Sequence, residues 1–122
     1  MAKLRYESIA PLGTAEAEAA IVRNDPAELR NVPVAVSLYA ADRAWAEDIC
    51  IRLARHPNEY VRGNAILGFA HLARRFRTLE PSTVEPLIVR ALRDPVDYVQ
   101  MQAINTADDF AHFLGWRLPP DV

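Results

Sequence analysis

Three observations in the sequence predict an all-helical (all-α) protein built from repeated helix pairs. Apolar residues recur at spacings of three and four along most of the chain, which is the pattern of amphipathic helices. Prolines interrupt that pattern at intervals. The segment HPNEYVRGNAI, which begins at His56, returns 38 positions later as DPVDYVQMQAI, with five of its eleven positions identical. We therefore expect a helix–turn–helix unit that repeats along the chain.

Capping residues and prolines place the helix boundaries. Pro33 should kink or split the second helix near Val32, because proline removes a backbone donor. Ser82 and Glu85 have the spacing of a capping box, so we expect the helix before the last to start at Ser82. The last helix should cover residues 97–114. The predicted caps, in chain order, are Thr14, Asp25, Asp42, Asn58, Ser82 and, after the last helix, Gly115.

These boundaries divide one expected domain, residues 1–122, into three units. The copies at 42–76 and 82–114 match each other well, and the copy at 14–40 is degenerate. One such unit cannot bury its apolar face alone, but stacked units form a continuous core. The residues predicted to be buried in the two good copies are Val61, Ala65, Phe69, Val99, Ala103 and Phe110.

The two matching segments resemble the HEAT-repeat family. That family has a turn rich in Asp and Pro, then a Val-Arg step and a buried Ala, as in Val61, Arg62 and Ala65 here. The second copy carries Gln100 where the family has Arg, so a ladder of Asp–Arg pairs should be interrupted there. The resemblance covers residues 42–114 and implies a short HEAT-like α-solenoid of five to seven helices. It also implies that the second helices line the concave side, where partners bind.

Composition and charge narrow the class of protein. The chain is 51% hydrophobic and 25% charged, as expected of a globular domain, and its net charge of −2 argues against a nucleic-acid binder. Cys50 is the single cysteine, so it cannot form an internal disulfide, and it lies on an apolar stripe as a core thiol would. The sequence has no signal-like or membrane-spanning apolar run, so we expect a cytoplasmic protein without membrane contact.

The search for catalytic and metal-binding motifs returns one weak candidate. Four glycines are too scattered for a phosphate-binding loop, and a zinc site would need more than one cysteine. Asp108 or Asp109 precedes His112 by one helical turn, a spacing that suits a metal ligand pair or an acid and a base. A solvated helix face explains the same residues more simply. We therefore expect no enzyme activity, no cofactor, no metal and no small-molecule substrate.

The polar residues on the last two long helices are the better functional candidates. From Asp97 to Trp116 the chain holds three Asp and no Lys or Arg, so the last helix should favour a protein partner with a cationic groove. The candidate partner-binding residues are Asp97, Tyr98, Met101, Gln102, Asn105, Asp108, Asp109 and His112, together with Asn64, His71 and Arg74 of the preceding copy.

In size and repeat style the chain resembles the short, stand-alone HEAT-like immunity proteins of bacterial contact-dependent inhibition (toxin–immunity) systems. The resemblance implies a protein that neutralises a toxin domain, often a nuclease, by covering its active site. Two alternatives stay open. Arg74, Arg75 and Arg77 would suit a nucleic-acid-binding or DNA-repair HEAT-like protein, and a scaffold or accessory subunit has the same sequence features. A homodimer also stays open, because short solenoids expose apolar end faces.

Overall fold

A computed structural model describes residues 9–118, and all regular structure in that range is helical. The all-α, repeat-like fold predicted from the sequence is confirmed. None of the helices in this range is long and apolar enough to cross a membrane. The helices are α1 (Thr14–Arg23), α2 (Pro26–Leu29), α3 (Val32–Tyr39), α4 (Arg43–Leu53), α5 (Glu59–Phe76), α6 (Pro81–Ala91) and α7 (Asp97–Leu114).

Several predicted boundaries are confirmed by local hydrogen bonds. The Asp42 side chain accepts from the backbone N–H of Trp45 at 3.2 Å and begins α4. The Asn58 side chain accepts from the N–H groups of Tyr60 and Val61 and begins α5. Gly115 ends α7 in the left-handed region, which a glycine adopts without strain. The second helix is split into α2 and α3 just before Val32, and Pro33 lies in the first turn of α3.

Two predicted caps are wrong. Helix α1 is capped by Gly13 rather than Thr14, and the Glu16 carboxylate accepts from the Gly13 N–H at 2.9 Å. Helix α6 begins at Pro81, before Ser82, so the predicted Ser82–Glu85 capping box does not form. Proline suits the first helical position, because its missing N–H would be unpaired there in any case. Ser82 instead donates its hydroxyl to the Glu80 carboxylate.

The helices form two layers. Helix α5 packs between α3 and α7, and its interface with α7 is the most extensive in the molecule. Helices α4 and α6 contact each other and lie against the helices that follow them, α5 and α7. The core lies between the layers, and all six residues predicted to be buried there are fully buried. Close packing is visible at Gly68, where an added Cβ would lie 2.6 Å from the Cys50 sulfur.

Cys50 itself is a core residue, as predicted. Its side chain is fully buried, and that burial raises the pKa of the thiol. The thiolate is the reactive form of cysteine, so a buried thiol with a raised pKa is chemically inert at neutral pH.

A salt bridge joins the two good repeat copies. The Arg62 guanidinium donates to both Asp94 carboxylate oxygens at 2.8 and 3.0 Å and also to the backbone carbonyl of His56. The hydrogen bonds from Arg62 lower the pKa of Asp94. Gln100, which stands where the family has Arg, donates to the Leu92 carbonyl at 3.0 Å and closes its own turn. The Arg62–Asp94 pair is therefore an Asp–Arg contact between repeats, whereas Gln100 makes its hydrogen bond within its own repeat.

Candidate protein-interaction surface

The candidate residues of α5 and α7 lie side by side, as predicted. The Tyr98 hydroxyl of α7 donates to the Asn64 side-chain oxygen of α5. Near the other end of the two helices, the Arg74 guanidinium lies 3.4 Å from an Asp109 carboxylate oxygen. We call the surface between these contacts the ridge surface. Its members are Tyr60, Asn64, His71 and Arg74 on α5, and Tyr98, Met101, Gln102, Asn105, Asp109 and His112 on α7.

At one end of the ridge surface two tyrosines form a fixed aromatic platform. The Tyr98 ring lies directly on Gly63, where an added Cβ would come within 2.6 Å of the ring. The Tyr60 ring packs against Tyr98 with centroids 5.2 Å apart, and the Arg30 guanidinium lies 5.8 Å from the Tyr60 centroid. Asn64 donates to the Arg30 carbonyl at 2.8 Å while it accepts from Tyr98. One amide side chain therefore ties the end of α2 to α7.

At the other end Arg74 organises a polar cluster. Its guanidinium lies 3.1 Å from His71 Nδ1, and it is also close to Asp109. Burial, with the nearby positive charge of Arg74 as a second cause, lowers the pKa of His71 to about 4. His71 is therefore neutral at pH 7, and its Nδ1 accepts from Arg74. The guanidiniums of Arg74 and Arg77 lie 5.9 and 4.8 Å from the ring of Phe113.

The structure divides the predicted acidic residues of α7 between two faces. Thr106 marks the side of α7 that faces α5, because its hydroxyl donates to the Ile66 carbonyl at 3.2 Å. At about 100° per residue, Asp97 and Asp108 lie on the opposite side of the helix. Asp109 lies on the α5 side, where Arg74 balances its charge. The ridge surface is therefore aromatic and amide-rich, while the Asp97 and Asp108 carboxylates sit at the open end of the stack.

The ridge surface also carries exposed apolar area. Met101 on α7 is 49% exposed, and Tyr60 on α5 is 44% exposed. The two tryptophans contribute less: Trp45 is half-buried, and Trp116 packs edge-on against Phe110 with centroids 5.0 Å apart. Tyr and Met are residue types enriched at the centres of protein interfaces.

Some residues that shape the surface were not predicted. Arg30 was absent from the candidates because its contact with Tyr60 joins residues far apart in sequence. Arg75 was grouped with a basic patch, yet its guanidinium donates to the carbonyls of Ser37 and Ala40 at 2.9 and 2.7 Å. It thereby satisfies the C-terminal end of α3. No local sequence signal marks either contact.

Two of the residues named as a weak metal or acid–base candidate make other contacts. Asp109 is paired with Arg74, and the His112 ring packs edge-on against Phe113 with centroids 4.6 Å apart. Within residues 9–118, no three His, Cys, Asp or Glu side chains gather as metal ligands would.

A groove of about 840 Å³ lies at the far end of the molecule, between residues 9–12 and helices α1 to α3. It is lined mostly by small and apolar side chains, and the Arg23–Glu28 ion pair lies on its wall. None of the predicted partner-binding residues lines this groove.

The sequence matches no protein-family model and no curated protein. The structure is similar to a chain in the crystal structure of the CDI complex from Cupriavidus taiwanensis LMG 19424, with a TM-score of 0.75 and 22% sequence identity. The fold is one found in a CDI complex. The similarity covers 87% of this chain and 94% of that chain, so it leaves few residues of either chain outside.

Proposed function

We propose that this chain is a non-catalytic protein-binding module that acts as an immunity protein. It would bind a toxin domain of a contact-dependent inhibition system and cover the active site of that domain. The observation that carries the proposal is the fold similarity to a chain of a CDI complex over almost the full length of both chains.

The ridge surface is the docking site in this proposal. Its side chains are already fixed in the free protein: Gly63 seats the Tyr98 ring, and Asn64 holds the Tyr98 hydroxyl. Side chains that are ordered before binding lose less conformational entropy when a partner arrives. Tyr60 and Met101 supply the exposed apolar area, and the surrounding amides and His112 supply hydrogen-bonding groups for the rim.

Charge accounts for the choice of partner. The described part of α7 carries Asp97 and Asp108 with no salt-bridge partner within residues 9–118. These carboxylates attract a toxin domain with a cationic groove and speed its association, because complementary charge raises the on-rate. Nucleases have such grooves because they bind phosphates, so a nuclease domain fits the charge that α7 carries beside the ridge surface.

The polar groups of the ridge surface support binding rather than catalysis. Arg74 lies beside both His71 and Asp109, and the pKa of His71, lowered to about 4, makes that imidazole a weak base. Nucleic-acid binding is not favoured either. Of the arginines that suggested it, Arg75 is used by the end of α3, and Arg77 lies over the Phe113 ring.

Co-expression tests the proposed function. The proposal expects a toxin domain to be encoded beside this gene, and that domain is expressed in a host that it kills, with and without this chain. We expect growth to be restored only when the chain is present, and a stoichiometric complex to be recovered by co-purification. Growth arrest in both cases, with both proteins soluble and no complex recovered, would remove the proposal.

A further inference from the structure

The repeat lets equivalent positions of α5 and α7 be compared, because residues 38 apart occupy the same place in each copy. On α5, Gly68 faces the preceding helices, since an added Cβ would meet Cys50 and the Pro33 carbonyl. Ile66 and Ala70 lie on the opposite side of α5, at about 100° per residue, which is the side that α7 covers. They are 0% and 2% exposed.

The same positions on α7 are uncovered. Ile104, the counterpart of Ile66, is 52% exposed, and Asp108, the counterpart of Ala70, is also exposed. Asp97 and Ala111 share this side of the helix and are exposed as well. We call these four residues the end face. Met101, the counterpart of Gly63 under the Tyr98 ring, lies at the border between the end face and the ridge surface. Within residues 9–118 no element covers the end face, although a helix covers its counterpart one repeat earlier.

We propose that the end face is a second docking surface, adjoining the ridge surface at Met101, which takes an amphipathic helix carrying Lys or Arg from a partner protein. A helix is the occupant because helix α7 covers the equivalent positions of α5. The occupant is basic because Asp97 and Asp108 flank the exposed Ile104, and opposite charges facing one another favour association.

A second copy of this chain is a poor occupant. In antiparallel pairing that places Ile104 against Ile104, Asp97 would lie against Ala111 of the other copy and lose water without gaining a partner. In the register that places Ile104 of one copy against Met101 of the other, Asp97 of each copy would face Asp108 of its partner, so two carboxylates would meet at each side of the apolar contacts. Like charges in contact are destabilising, and such charges are used by proteins to prevent unwanted stacking. Asp108 occupies the position on α7 that the buried Ala70 occupies on α5. It therefore disfavours the stacking of a further copy on α7 but favours the binding of a basic helix.

This inference goes beyond the proposed function, because it rests on the repeat and needs no toxin domain for its test. The probe is a variant of the chain itself with Asp97→Lys and Asp108→Lys. Both residues are exposed, so the variant should fold, and circular dichroism checks that it does. Its α7 then presents the same apolar residues flanked by lysines, which is the chemistry proposed for the occupant.

Sedimentation equilibrium at low ionic strength measures whether the variant associates with the wild type. The wild type alone and the variant alone should each sediment as the 13.7 kDa monomer. Their equimolar mixture should approach twice that mass, and added salt should reverse the association because it screens charges. A mixture that stays monomeric would overturn the inference, and so would a wild type that dimerises by itself.

A matched control separates docking from general attraction between charges. Ile104→Gln in the wild-type copy removes the apolar centre of the end face and leaves Asp97 and Asp108 in place. We expect this change to abolish the mixed dimer. Association that survives Ile104→Gln would show that charge alone drives it, and the proposed helix-docking surface would be wrong.

Discussion

At the scale of single residues, Ala103 and Ala111 on α7 stand in opposite surroundings. Ala103 is fully buried and Ala111 is exposed, although both are alanines in the same helix. Ala103→Leu should lower the free energy of unfolding by ~1–3 kcal/mol, because three further carbon atoms must enter a filled core. Ala111→Leu is the control and should change it by less than ~0.5 kcal/mol. Urea denaturation checks both, and equal midpoints would contradict the placement of the core face.

His71 makes the stability depend on pH. Its folded pKa of about 4 lies below the ordinary value of 6.5, chiefly because it is buried. Between these values the unfolded chain binds more protons than the folded one, so stability falls as pH drops from about 6.5 towards 4. His71→Gln keeps an acceptor for Arg74 but cannot take up a proton.

We therefore expect His71→Gln to lose less thermal stability than the wild type between pH 7 and pH 5. Melting temperatures at the two pH values measure this. His56, whose pKa is also lowered by burial, contributes a loss of the same sign that should remain in the variant. If the wild type and the variant lose the same amount, the neutral, buried state assigned to His71 is incorrect.

The core residues were predictable from the sequence, and the residues that fix the ridge surface were less so. Ala65 and Ala103 follow from helical spacing and from the repeat, which are local signals. Asn64 was predicted as a partner-binding residue, but its bonds to Arg30 and Tyr98 join segments far apart in the chain. Spacing shows which side of a helix a residue occupies, but it does not show which distant group that residue meets.

At the scale of helices, Glu47 connects α4 to the start of α6. It is a buried carboxylate that pairs with Arg43 and accepts from the Glu80 N–H at 3.1 Å. Glu47→Ala should cost about 1–3 kcal/mol of stability, because it leaves the Glu80 donor and Arg43 without their partner.

Asp48→Ala is the matched control for Glu47→Ala. Asp48 neighbours Glu47 but is exposed, and its contact with Arg52 is long, at 3.6 Å. An exposed pair of this kind contributes at most ~1 kcal/mol. Chemical denaturation of both variants measures the difference. A loss for Asp48→Ala as large as that for Glu47→Ala would argue against the role assigned to Glu47.

Helix boundaries were predictable where the cap is local. Asp42 and Asn58 cap their helices through bonds to residues two or three positions away, and the sequence pattern shows both. The start of α6 was mispredicted at Ser82 because the preceding N–H, on Glu80, is satisfied by Glu47 from another helix. A capping signal in the sequence competes with such remote partners, and their positions depend on the fold.

At the scale of the whole molecule, the repeat predicted the fold, and the fold places the ridge surface and the end face on neighbouring sides of α7. The sequence predicted that α5 and α7 present neighbouring polar rows, and the Tyr98–Asn64 and Arg74–Asp109 contacts confirm this neighbourhood. It did not separate Asp108 from Asp109, which are adjacent in sequence. Only the direction of α5, marked by Thr106, divides them between two faces.

The most direct test of the proposed docking site is the affinity of the chain for the toxin domain that the proposal expects, measured by titration calorimetry with two matched variants. Met101→Lys changes an apolar residue of the ridge surface that is 49% exposed, and Val22→Lys changes an apolar residue of α1 that is 83% exposed. We predict that Met101→Lys weakens binding by about tenfold or more, which is ~1.4 kcal/mol, and that Val22→Lys leaves it unchanged. Binding that is lost in Val22→Lys and retained in Met101→Lys would contradict the assignment of the ridge surface as the docking site.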